Sequence, residues 1–195
     1  IEDLGFIRTQ SDIEKLIELK PFSVTLTWNY YNQFGGGSNT NGRLTTLGKN
    51  VVRELERNNI IVDTAHLSRD AFYDFIKITN KPIFNSHSNI FSILNHDRNL
   101  TDSQIKMIKN SGGYLGITLY DQFISNSRIS SKNIAEQFDY LLNKFGDDFF
   151  GFGTDFYGVE FSHLPIDIKD YHELYKVSKN LETYGLSDEV LNKIF

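Results

Sequence analysis

Two histidines stand at positions where a metal ion could be bound. His66 follows the strand-like run IIVDTA, and His87 follows a second such run, KPIFNS. Other apolar runs also end in polar side chains, namely Trp28, Asn29 and Asp155. Imidazole nitrogens and carboxylate oxygens are common zinc ligands in proteins. The alternative at this stage is that each histidine is a buried, hydrogen-bonded structural residue.

The amino-acid composition limits which side chains could bind a metal ion and which partners the protein could bind. The chain has no cysteine, which excludes disulfides and thiolate ligands, so a metal ion would be held by histidines and carboxylates. A formal net charge of −5 argues against a nucleic acid or an anionic membrane as partner. No apolar run approaches the ~18 residues of a membrane span, and no signal peptide opens the chain. We therefore expect a cytoplasmic protein.

Strand-like runs alternate with helical patterns along the chain. Ser68 and the capping box Thr101-x-x-Gln104 each predict the start of a helix. Short runs that are apolar throughout and separated by helices are typical of a parallel sheet covered on both faces. Five such strands are predicted, at residues 22–27, 60–65, 81–86, 113–120 and 148–156, and Ile1-Glu2 as the tail of an earlier strand makes six.

The polar residues at the strand ends help to distinguish a (β/α)8 barrel from a doubly wound sheet. In a (β/α)8 barrel the carboxyl ends of all strands share one face, so residues far apart in sequence would converge there. A doubly wound sheet would instead bind its ligand at a switch point, next to a Gly-rich phosphate turn. The chain has no G-x-G-x-x-G motif, and its run FGGGSN leads into further loop rather than into a helix. We therefore predict a (β/α)8 barrel.

Several sequence blocks, taken together and in order, resemble a known family. The blocks SVTLTWNYYN, GKNVVRELERNNIIVDTAHLS, KPIFNSHSN with NHDRNL, and GFGTDFYG are similar to the membrane dipeptidase (renal dipeptidase) family of zinc peptidases. Arg98 lies eleven residues after His87, as the family pattern has it. The resemblance implies a (β/α)8 barrel that hydrolyses dipeptides with two zinc ions, bridged by a glutamate and a water.

The resemblance also implies roles for individual residues. His66 and His87 would be ligands of one zinc, and Glu2 would be the bridging glutamate. Arg98 would pair with the terminal carboxylate of the dipeptide, while Asp155 would hold its amino group and take part in proton transfer. Trp28 replaces a histidine that stabilises the tetrahedral intermediate in mammalian members, and Trp28 and Asn29 would contact the substrate. His96, His163 and His172 are expected to have no such role. A homodimer is the protein partner that the family suggests.

One departure from the family pattern concerns the second zinc. The family binds it with a His-x-Asp motif, and no such motif occurs in this chain, which begins at Ile1 without a methionine. We therefore expect residues 1–195 to form a single, partial barrel domain that lacks the first two βα units and the extreme C-terminus, and to be inactive alone. Two alternatives are another amidohydrolase-type metal hydrolase and a non-catalytic binding protein. The first is disfavoured because no lysine follows a strand to serve as a carboxylated bridge.

Overall fold

The computed structural model describes residues 1–194, in which short strands alternate with helices. Five strands form one sheet in the order β1-β2-β3-β4-β5 with parallel pairing, which confirms the predicted α/β class. The strands are β1 Ser23–Thr25, β2 Ile61–Asp63, β3 Phe84–Ser88, β4 Tyr114–Ile117 and β5 Phe150–Phe152. The helices are α1 Gln10–Glu18, α2 Thr46–Arg57, α3 Arg69–Ile76, α4 Asp102–Asn110, α5 Ser131–Phe145, α6 Tyr175–Thr183 and α7 Asp188–Ile194. Phe195, the last residue of the final predicted helical segment, lies outside the described residues.

The chain divides into two compact units, and the first is Ile1–Phe84. In this unit β1 pairs with β2 in parallel, from Ser23 opposite Ile61 to Thr25 opposite Asp63. The N-terminal residues run beside β1, because the Ile1 amine donates to the Ser23 carbonyl (2.9 Å) and the Thr25 N–H donates to the Ile1 carbonyl (3.0 Å). The sixth strand expected at Ile1-Glu2 is therefore represented only by these two backbone hydrogen bonds. Residues 1–2 do not form a strand.

Helix starts in the first unit follow the capping rules that the sequence suggested. The Ser68 side chain accepts the Ala71 N–H at 3.0 Å and so begins α3 directly after the loop that carries His66. The apolar face of α2 is buried through Val51, Val52 and Leu55. These contacts fix the chain on both sides of β2, the strand that leads to His66.

The second unit is Asn85–Phe195, in which β4 and β5 pair in parallel with Gly116 opposite Gly151. A Cβ atom on Gly116 would lie 1.9 Å from the Ser86 carbonyl oxygen, so only glycine allows the backbone to approach so closely there. The ring of Phe138 on α5 is fully buried and lies 4.9 Å from that of Phe152, measured between centroids. The predicted capping box Thr101-x-x-Gln104 is confirmed at the start of α4. Within residues 1–194, no helix combines the length and the apolar character needed to cross a membrane.

A buried carboxylate ties α3 to the loop before α2. The Asp74 side chain is 2% exposed, and it accepts hydrogen bonds from Arg43, one of them at 3.0 Å from Nε. The hydrogen bond from Arg43 holds the pKa of Asp74 below its usual value of 3.8 in spite of its burial. Because the pKa is depressed in the folded state, this pair stabilises the fold above pH 3.8 and loses its effect as the pH falls through the folded-state pKa.

We expect Asp74→Asn to lower the melting temperature at pH 7 by about 2–4 °C, a modest shift because Arg43 is largely exposed and solvent screens the pair. The difference from the wild type should narrow as the pH falls below 3.8 and approaches the depressed folded-state pKa of Asp74. Thermal melts monitored by circular dichroism at several pH values measure this. Glu14→Gln, which changes an exposed carboxylate on α1, is the matched control. A difference that stays constant with pH would contradict the assignment.

Candidate metal centre

His66 occupies a strained position just beyond β2. Its backbone φ is +67°, a left-handed conformation that residues other than glycine adopt only when their surroundings hold them in it. Two hydrogen bonds do so here, since the Leu67 N–H donates to the Thr64 carbonyl (3.2 Å) and the Thr27 hydroxyl donates to the His66 carbonyl (3.3 Å). The His66 residue is 6% exposed. Backbone strain of this kind concentrates at functional sites, and it fixes the direction of the imidazole.

The carboxylate of Glu2 meets this imidazole. Oε1 of Glu2 lies 2.8 Å from Nε2 of His66. The backbone on either side of Glu2 is anchored, through Ile1 as described above and through Asp3, whose N–H donates to the Thr25 hydroxyl at 2.7 Å. The sequence alone could not fix the register of this short segment. In the structure it is Glu2 whose carboxylate reaches His66.

Trp28 and Asn29, which follow β1, both contact His66. The Trp28 ring stacks on the imidazole at 6.0 Å between centroids with an interplanar angle of 30°, and its side chain remains partly exposed. The Asn29 side-chain oxygen lies 2.9 Å from Nδ1 of His66. Thus two residues predicted to contact substrate lie directly against a predicted metal ligand.

His87 is the fourth residue of β3 and is buried. Its Nδ1 lies 2.7 Å from the hydroxyl of Ser86, which orients the ring. One ligand atom from each of Glu2, His66 and His87 lies within 4.8 Å of those of the other two. Two imidazole nitrogens and one carboxylate oxygen are a donor set that suits zinc. The three residues predicted as metal ligands therefore form a cluster whose chemistry fits a divalent cation.

Arg98 is 4% exposed, and both its guanidinium and its backbone N–H make contacts with neighbouring residues. Nη2 donates to the His87 carbonyl at 3.4 Å, and the guanidinium carbon lies 5.3 Å from the ring centroid of Phe123. The backbone N–H of Arg98 donates to Nδ1 of His96 at 3.1 Å. Burial lowers the pKa of His96, which keeps its ring neutral so that Nδ1 can accept this bond. Arg98 is thus a buried cation next to the backbone carbonyl of His87.

Asp155 follows β5 and shares the unusual backbone of His66, with a φ of +57°. The Gly158 N–H donates to the Asp155 carbonyl at 3.0 Å and closes a tight turn there. Asp155 lines a cavity of about 590 Å³ whose walls include Phe161, Leu164 and Tyr171. A carboxylate next to an apolar cavity is suited to bind the amino group of a small molecule whose side chain enters the cavity.

Residues that support the site were not identified from the sequence. Ser86 directly precedes His87, and Ser38 lies in the Gly-rich run FGGGSN. Neither was recognised as a residue that supports the site. His96 was expected not to be a metal ligand, and the hydrogen bond that its Nδ1 accepts from the Arg98 N–H was not apparent from spacing. Phe123 was missed because an aromatic residue in a short 3₁₀ turn carries no chemical signal of its own.

Comparison with known proteins identifies the family. The model of the membrane dipeptidase family, peptidase family M19, matches residues 5–195. This chain belongs to the membrane dipeptidase family. It is 28% identical over 203 residues to an uncharacterized protein in the pqqA 5' region of Klebsiella pneumoniae, covering 97% of this chain and 74% of that protein. It is 30% identical over 149 residues to dipeptidase aclJ of Aspergillus oryzae, covering 75% of this chain and 35% of aclJ.

A solved structure is consistent with this assignment. The metallo peptidase from Rhodobacter sphaeroides, liganded with a phosphinate mimic of the dipeptide L-Ala-D-Ala, superposes with a TM-score of 0.86 at 26% identity. That match covers 94% of this chain and 55% of the Rhodobacter chain. This membrane dipeptidase family chain therefore spans about half of that relative and about a third of aclJ.

Proposed function

We propose that this protein hydrolyses dipeptides to free amino acids at a zinc centre to which Glu2, His66 and His87 contribute. The cluster of these three side chains, with ligand atoms within 4.8 Å of one another, is the observation that carries the proposal. Membership of the membrane dipeptidase family supports it. The Rhodobacter relative, which holds a mimic of a dipeptide, supports a substrate of that size.

In this proposal His66, His87 and Glu2 would hold zinc, each with one ligand atom of the cluster. Bound zinc would supply a water whose pKa is lowered to about 7, so that hydroxide is available near neutral pH. The chain's own contribution is orientation, since the Ser86 hydroxyl fixes the ring of His87 and the strained backbone at His66 fixes its imidazole. Hydrogen bonds of this kind to metal-binding histidines hold the ligand geometry and tune affinity.

Arg98 and Asp155 would bind the two charged ends of the substrate. A guanidinium presents paired N–H donors that match a carboxylate, so Arg98 is assigned to the C-terminal carboxylate of the dipeptide. Asp155 is assigned to the amino group and to proton transfer to the leaving amine. Recognition of both ends would restrict the substrate to dipeptides, because a longer peptide cannot place both charges on these two residues.

Trp28 is proposed to contact the bound dipeptide. Its ring lies on the face of His66 and is 47% exposed, so its indole N–H is available as a single donor toward a reacting carbonyl. A tryptophan cannot change its protonation state in the way a histidine does. Its proposed role is therefore hydrogen bonding and exclusion of water.

The proposal is tested on protein that carries residues 1–195 together with a segment that supplies the family's His-x-Asp motif, because residues 1–195 alone are expected to be inactive. This protein is assayed with a panel of dipeptides, before and after removal of metal by a chelator. We expect hydrolysis that disappears with the chelator, returns with zinc, and is absent for tripeptides. Metal content should be measured on the same samples. A protein that binds zinc but cleaves no dipeptide would contradict the proposal and favour a non-catalytic binding protein. Hydrolysis that the chelator leaves unchanged would contradict the metal centre.

A further inference from the structure

The imidazole of His66 faces an oxygen atom at both of its nitrogens. Nε2 lies 2.8 Å from a carboxylate oxygen of Glu2, and Nδ1 lies 2.9 Å from the side-chain oxygen of Asn29. A neutral imidazole carries only one N–H, and zinc binds the neutral form through the other nitrogen. A neutral ring donates its single N–H to one of these oxygens. Its other nitrogen can face the second oxygen favourably only if a cation lies between them.

Contacts around Asn29 determine which nitrogen keeps its proton. The Ser38 hydroxyl donates to the same side-chain oxygen of Asn29 at 3.0 Å, so this atom is oriented as an acceptor. The Asn39 N–H donates to the backbone carbonyl of Asn29 at 2.9 Å, and the Gly37 N–H donates to the Tyr30 carbonyl at 3.1 Å. The segment 37–39 is thus held along the backbone of residues 28–30.

Gly37 makes this close approach of two backbones feasible. A Cβ atom at position 37 would lie 2.0 Å from the Trp28 carbonyl oxygen, a distance that no side chain could tolerate. The Gly-rich loop, whose role the sequence did not reveal, therefore serves to bring Ser38 against Asn29. This arrangement directs the amide oxygen, and not the amide nitrogen, toward His66.

We propose that Asn29 is a positioning residue that accepts the Nδ1–H of His66 and so directs the lone pair of Nε2 toward the metal ion. This role differs from the substrate contact expected for Asn29 from the sequence, because its side-chain oxygen is engaged by His66 and Ser38. The inference rests on the zinc centre of the proposed function but not on the dipeptide reaction. It can therefore be tested without catalysis.

The first test measures zinc affinity by titration against a competing chelator, for the wild type and three variants of the purified protein. Asn29→Ala should weaken binding at the site that contains His66 by about 10- to 100-fold, the effect typical of losing such a hydrogen-bond partner. Asn29→Asp, which keeps an acceptor oxygen, should bind zinc within a few-fold of the wild type. Asn39→Ala is the matched control, because it alters an exposed neighbour and keeps the backbone hydrogen bond to Asn29.

An unchanged affinity in Asn29→Ala, or an equal loss in Asn29→Asp, would overturn the proposal. A second measurement covers the case in which the alanine variant fails to fold. Long-range ¹H–¹⁵N correlation spectra of the zinc-loaded wild type should show His66 protonated at Nδ1 and metal-bound at Nε2, and the opposite tautomer would refute the role of Asn29. If zinc binds in this way but no dipeptide is cleaved, the inference stands and the proposed function fails. If dipeptides are cleaved and Asn29→Ala binds zinc normally, only the inference fails.

Discussion

Replacement of His66 by alanine should abolish dipeptide hydrolysis and remove zinc from the purified protein. We expect kcat/KM to fall by far more than 100-fold, because losing only the hydrogen-bond partner of a zinc-binding histidine already costs about 10- to 100-fold. The loss leaves the Glu2 carboxylate without the imidazole nitrogen that lies 2.8 Å from it. Zinc content by atomic emission and hydrolysis rates, measured on the same preparation, check the expectation.

The controls for this prediction separate metal loss from unfolding. His172→Ala changes an exposed histidine in the 3₁₀ turn before α6 and should leave both zinc content and activity at wild-type values. Circular dichroism should show that His66→Ala remains folded, since the fold is held by the buried apolar residues around β2 and α2 and not by the metal ligand. Full zinc content in His66→Ala would show that this histidine is not a ligand.

The positions of the two histidines could be predicted because they depend on local sequence. Each follows a short apolar run, and parallel strands bring such exits to one edge of a sheet. The same reasoning did not locate the boundaries of β3. The apolar run at 81–86 predicted a strand there, whereas the strand is Phe84–Ser88, which contains three polar residues in addition to His87. Its side chains serve the site, so the strand lacks the apolar character on which the prediction depended.

The contacts that orient the ligands could not be predicted, because they join residues far apart in sequence. Asn29 and His66 are separated by 37 positions and meet only when β1 and β2 pair in register. The positive φ angles of His66 and Asp155 are equally invisible, since residues other than glycine adopt them only under tertiary constraint. Sequence patterns thus identified the candidate site residues, and the structure was needed to show which contacts hold them.

The second large effect is expected at Arg98. Arg98→Lys should lower kcat/KM by about 10- to 100-fold for dipeptides with a free carboxylate, since one charge-assisted hydrogen bond of about 1.5–3 kcal/mol is lost when a paired donor becomes a point charge. The buried guanidinium lies over the ring of Phe123 and donates to the His87 carbonyl. The single ammonium group of a lysine cannot make both of these contacts and also pair with a carboxylate. Hydrolysis rates at varied substrate concentration measure the loss.

The assignment of Arg98 to the substrate carboxylate predicts more than a loss of rate. A dipeptide amide, which lacks the negative charge, should be a poor substrate of the wild type, and Arg98→Lys should slow it far less than it slows the free dipeptide. Arg128→Lys is the matched control, because that guanidinium is about half exposed and contacts Asp121 at 3.5 Å instead. If Arg98→Lys slows the dipeptide and its amide equally, then Arg98 supports the fold around His87, and the carboxylate must be bound elsewhere. Only a selective loss for the charged substrate is consistent with a guanidinium that binds the end of the dipeptide.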